Sequence, residues 1–182
     1  CEDLDSVVAS ADLRMRDGRL LEIGTVVAQA GDIEFDATGL VALPGFVQGH
    51  VHYCQTLFRG LADDLSLIDW LHERIWPMEA AHDADTTRLS AQLSVTELLR
   101  GGVTTILEME EDAELFAPFI ESSGIRALIG VMVNDVNLDA LASGQTVFDD
   151  TVRTQQLSQA IGLAERWHGR SGSRIQVVMA AN

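Results

Sequence analysis

The sequence predicts an α/β protein built on a parallel sheet, preceded by a small β unit. Three observations predict it. Apolar runs without alternation recur along the chain, as expected of strands buried on both faces. Segments of helical period separate them, and strand, helix, strand, helix in strict alternation is the syntax of parallel β/α folds with right-handed crossovers.

The elements follow in order. Residues 12 to 24, DLRMRDGRLLEIG, alternate apolar and polar about Asp17-Gly18, a strong hairpin signal. A third short strand is expected around Asp32 to Phe35. Leu40 to Val47, interrupted by Pro44-Gly45, read as the first buried strand, which places a boundary between a unit at 1–43 and a second at 44–182. Leu65, Ile68, Leu71, Ile75 and Trp76 then fall at helical spacing, with Ser66 or Asp64 as N-cap and Pro77 near the end. A longer helix is expected after Asp85, with Leu89, Leu93, Leu98 and Leu99 as its apolar face and Gly101-Gly102 as its C-cap. Strands at 103–109, 125–133 and 174–180 alternate with helices at 112–122 and 152–168. Such a sheet is either doubly wound or a barrel. An eight-stranded barrel needs about 250 residues, whereas residues 40–182 hold room for about four strands. The chain would then be half a barrel with an unpaired edge, and we read it as a piece of a longer one.

Composition narrows the function. The 182 residues are 47% hydrophobic with a formal charge of −16, a globular profile, and no apolar run approaches a membrane span. A start without a basic and apolar leader gives a cytoplasmic expectation. The acidic balance argues against nucleic acid, whose binding is dominated by Lys and Arg. Cys1 and Cys54 stand at no metal-like or disulfide-like spacing. All 12 basic residues are arginine. Without lysine there is no phosphate-loop lysine, no Schiff-base nucleophile and no lysine to bridge two metal ions.

The most informative residues are His50 and His52, in Gly49-His50-Val51-His52 at the end of the first buried strand. Residues i and i+2 of an extended segment point the same way, so both imidazoles can reach one ion. Strand C-termini face the ligand crevice of a parallel α/β fold. The competing reading is a chance pair, one ring packed and the other solvated.

The run DATGLVALPGFVQGHVH resembles the first barrel strand of the amidohydrolase superfamily. TLFRGLADDLSLIDWLHERIWPMEAAH, followed by a helix ending ELLRGGVTTILEM, is similar to the branch holding S-adenosylhomocysteine and methylthioadenosine deaminases and the triazine chlorohydrolases. MRDGRLLEIG resembles that branch's small β-sandwich domain. The resemblance therefore implies the first half of a (β/α)8 TIM-type barrel with part of a β-sandwich before it. It implies one divalent ion, zinc or iron, bound by His50 and His52 together with a further histidine and a late aspartate. It puts those two, and the carboxylate that shuttles the proton, after Asn182, so no catalytic residue is named.

The resemblance also implies a small heteroaromatic substrate and a homo-oligomer. Glu79 aligns with a glutamate that holds ribose hydroxyls in the nucleoside deaminases, against the alternative of a surface glutamate after Pro77. Trp76 would wall the pocket against a flat ring, or belong to the core. Asn182 stands where adenosine-type deaminases have a histidine, and an amide there can read a base or triazine edge. Gln55 and Leu57 would line the mouth. Glu108 and Glu110 are expected to orient or be solvated, and His72, His82 and His168 to be solvated. The expected activity is removal of ammonia from a purine-, pyrimidine- or triazine-like ring by metal-activated water. The rivals are dechlorination, cyclic-amide hydrolysis and, in another class, an inactive half-barrel that binds a partner or scaffolds.

Overall fold

A computed structural model describes residues 10–110, 112–137, 140–141 and 143–181. The chain divides into two compact units, Cys1–Leu43 and Pro44–Asn182. In the first, β1 (Asp12–Arg16) and β2 (Arg19–Gly24) form an antiparallel two-stranded sheet. Asp17 and Gly18 both have positive φ, 51° and 72°, as the tight turn between twisted strands requires. The expected third strand is absent: among the described residues the sheet has only β1 and β2, and Ile33 is 99% exposed. Local bonds explain this. The Asp32 carboxylate accepts the backbone N–H of Gln29 and a guanidinium N–H of the buried Arg14, which also bonds the Val27 carbonyl and Glu22. Side-chain bonds of this kind hold the backbone in a loop rather than a ladder.

In the second unit β3 (Phe46–Val51), β4 (Val103–Glu110), β5 (Arg126–Val133) and β6 (Ile175–Ala181) make a parallel sheet in chain order, β3-β4-β5-β6. No strand order reverses. The first strand starts at Phe46, later than the expected Leu40, because Pro44 has no N–H to give a ladder. Nor is it buried on both faces. Among the described residues it pairs with β4 alone, and Phe46 and Val47 are 59% and 69% exposed.

Helical residues 67–80 follow. Ser66 caps α1 (Leu67–Trp70), a wide π turn occupies Leu71–Ile75, and α2 (Trp76–Ala80) completes the stretch. Pro77 is the physical reason for the wide turn, since it cannot donate to the preceding turn and its ring crowds the carbonyl four residues back. The long helix α3 (Ala84–Arg100) opens two residues earlier than expected, on a capping box formed by Asp83 and Thr86. Of the expected leucine stripe only Leu98 packs against the core, and it is half-buried. Thr87, Ser90, Ala91, Ser94 and Val95 face inward, while Leu89 is 55% exposed. Small residues are needed because α3 lies close against the 3-10 turn Tyr53–Phe58 that follows β3, near enough for the Ser90 hydroxyl to reach the carbonyls of Tyr53 and Cys54 at 2.6 and 3.0 Å.

The third helical segment is broken rather than continuous, with a 3-10 turn at Ala113–Leu115 and α4 at Ala117–Ser123. Then α5 (Asp150–Trp167) covers β5 and β6. The core joins Ala91 and Val95 of α3, Ala117 and Ile120 of α4, and Ala160 and Leu163 of α5 to Ile106, Ala127, Ile129 and Ile175 of the strands. Along β4 the buried residues alternate as Ile106, Glu108 and Glu110, the period of two that a strand dictates. Among the described residues no helix is long and apolar enough to cross a membrane.

Candidate metal and substrate site

His50 lies in β3 and His52 just past its end, with extended backbone at φ −118° and ψ 109°. The alternation of an extended chain brings their rings together, with centroids 4.8 Å apart and planes at 83°. The tautomer of His52 follows from its partner. Its Nδ1 is 2.9 Å from the Met109 carbonyl oxygen, which can only accept, so Nδ1 carries the proton and the neutral ring keeps its lone pair on Nε2. A backbone carbonyl behind an imidazole is the arrangement that prepares histidine for a cation. Two imidazoles of this kind fit a divalent transition metal, although a catalytic zinc site takes three protein ligands. Among the described residues no third histidine, cysteine or acid joins them in a group able to hold a metal ion.

The turn after His52 is held from three sides. Cys54 N–H donates to Glu110 Oε1 at 3.0 Å, and the buried Cys54 Sγ lies 3.1 Å from Glu110 Oε2 and 3.4 Å from Glu79 Oε1. Burial, then the carboxylates of Glu110 and Glu79, push this thiol up, so it stays protonated and donates. Gln55 Nε2 donates to the same Glu79 oxygen at 2.9 Å. Glu79 is half-buried, with Gln55 and the Cys54 thiol of the turn after the histidine pair as its neighbours. Trp76 packs edge-on against His72 with centroids 4.6 Å apart, three residues before Glu79 in α2. A cleft of about 190 Å³ opens beside Gln55, lined also by Phe58, Trp70 and Ile75. Asn182 lies outside the described residues.

Of the two roles expected for the acids of β4, orientation or solvation, burial removes solvation. Glu108 is fully buried with neither carboxylate oxygen bonded, and burial, then the charge of Glu110, raise it well above the usual carboxylate range. Tyr53, the first residue of the turn after His52, is also buried with its hydroxyl unbonded, and burial raises it. His82 is likewise not solvated: both ring nitrogens are buried and the ring lies against Phe58. The parts that sequence reasoning missed are Cys54, Ser90 and the Met109 carbonyl. The first two carry no periodic signal, and the last is backbone.

The amidohydrolase family model matches residues 41–182, most of the chain. The chain belongs to the amidohydrolase family. This amidohydrolase is 37% identical over 96% of its length to the 5'-deoxyadenosine deaminase of Methanobrevibacter smithii, covering 38% of that protein. It is 31% identical over 93% of its length to the 5-methylthioadenosine/S-adenosylhomocysteine deaminase of Carboxydothermus hydrogenoformans, covering 37% of it. Among solved structures it is similar to the zinc-complexed atrazine chlorohydrolase of Arthrobacter aurescens TC1, with TM-score 0.79 at 16% identity over 96% of this chain and 42% of that one. It is also similar to the guanine deaminase of C. acetobutylicum with guanine bound, with TM-score 0.71 at 16% identity over 94% of this chain and 41% of that one. The chain thus spans about two fifths of the length of these relatives.

Proposed function

We propose that this amidohydrolase chain is the first part of a (β/α)8-barrel hydrolase, with a small N-terminal β domain, that deaminates a purine-like or related heteroaromatic ring. The observation that carries the reading is the His50–His52 pair, with His52 fixed by Met109 in the tautomer a cation requires. The deaminase names of its relatives support it, as does a parallel sheet laid down in chain order without a reversal. The likeness to the chlorohydrolase is one of fold alone, which leaves ammonia as the favoured leaving group.

His50 and His52 would hold one divalent ion, zinc or iron. When bound, such an ion supplies the Lewis acidity that turns water into a nucleophile near neutral pH. The chain's own residues do the rest of what is visible. The Met109 carbonyl keeps the His52 proton on Nδ1, and Gln55 occupies one oxygen of Glu79, leaving its other oxygen to accept hydroxyls of a sugar-bearing substrate. Trp76 offers a flat apolar surface to the ring. The protein would act on a small molecule in the cytoplasm, as a homo-oligomer.

The test is made on the full-length protein. Metal content and ammonia release are measured on adenosine, 5'-deoxyadenosine, guanine, cytosine and triazine compounds, for wild type and His50→Ala. The expected result is loss of both metal and ammonia release in the variant. A variant with metal and turnover like wild type removes the site.

A further inference from the structure

We infer that Glu110 is a positioning residue for the histidine pair, one whose carboxylate locks the turn carrying His52 and supports that ring electrostatically. The inference rests on the reading of His50 and His52 as metal ligands. Glu110 ends β4 with a side chain only 9% exposed, so its carboxylate takes its donors from the protein. Both oxygens turn to the segment after His52: Oε1 accepts the Cys54 N–H at 3.0 Å and Oε2 faces the Cys54 thiol at 3.1 Å. The same Oε1 stands 3.9 Å from His52 Nδ1, whose proton is taken by the carbonyl of Met109, the residue before Glu110.

One dipeptide at the end of β4 therefore meets one ring in two ways. Met109 orients the imidazole by a hydrogen bond, and Glu110 places an anion beside its N–H edge. An imidazole sharing its lone pair with a cation becomes more positive, and a nearby carboxylate stabilises that redistribution. The thiol links this support to the substrate side. Its single proton serves one carboxylate at a time, and the shorter distance assigns it to Glu110, while Gln55 serves Glu79. Cys54 and Gln55 thus join the metal ligands and Glu79 in one block.

The test is zinc affinity of the full-length protein, by competition with a chromogenic chelator, beside thermal unfolding of the metal-free protein. Glu110→Gln keeps an oxygen for the Cys54 N–H and removes the charge. It should weaken Zn²⁺ binding by about 10-fold or more and leave metal-free unfolding as in wild type. Glu110→Asp, which keeps the charge, should restore part of the affinity. Unchanged affinity in Glu110→Gln, with metal lost in His52→Ala, overturns the role of Glu110 alone. A parallel fall in affinity and metal-free stability makes Glu110 merely structural and overturns it too. Retention of metal by His52→Ala removes the metal-site reading and this inference together.

Discussion

Replacing Glu108 with glutamine should abolish a specific pH dependence of stability. Glu108 is fully buried, no donor reaches either carboxylate oxygen, and Glu110 adds a second negative charge nearby. Burial without a partner disfavours the ionised form, so the folded protein holds this proton to higher pH than the unfolded chain does. Between the unfolded value, about 4.5, and the raised folded value, the native state binds one more proton than the unfolded state. Stability therefore falls as pH rises, by about 1.4 kcal/mol per pH unit. The loss begins near the unfolded value and ends once pH has passed the folded one. Glutamine cannot ionise, so its burial cost is constant with pH. Urea unfolding of wild type and Glu108→Gln, from pH 4 upward, isolates the effect as the difference between the two curves. Wild type should lose ground to the variant steadily above about pH 4.5. A difference that stays flat across the series would refute the buried, partnerless carboxyl.

Two further outcomes concern the supports of the site. Ser90→Ala removes the hydroxyl shared by the carbonyls of Tyr53 and Cys54, leaves buried acceptors unpaired, and should cost about 1–3 kcal/mol in denaturant unfolding. Gly45→Ala would place a Cβ 2.0 Å from Thr104 Oγ1 and 2.7 Å from its Cβ. That clash should lower stability by about 1–3 kcal/mol, and Thr104→Gly in the same chain should recover much of it.

What was legible in the sequence was whatever rests on local chemistry. Asp17-Gly18 forces a hairpin by backbone preference alone, and the i, i+2 spacing of His50 and His52 brings their rings side by side in any extended segment. Other features depend on neighbours distant in sequence. The leucines of α3 look like a core stripe until the 3-10 turn Tyr53–Phe58 demands small residues, at which point Ser90 and Ala91 turn inward. Glu108 and Glu110 read as a solvated acidic run, yet the strand period directs both into the interior beside Ile106. The Asp32 segment loses its strand to bonds with Gln29 and Arg14 that no alternation pattern reports.

The wide turn at Leu71–Ile75 bears on how this region tolerates change in length. Each residue of a regular helix advances the side-chain direction by about 100°, whereas a wide turn with i→i+5 bonds takes up one extra residue within nearly the same rotation. Excising a single amino acid from Leu71–Ile75 would let the helix regularise while Glu79 keeps close to its direction toward Gln55. One residue can therefore leave at this turn without re-aiming the acid, whereas the same loss within α2 ahead of Glu79 would turn it away.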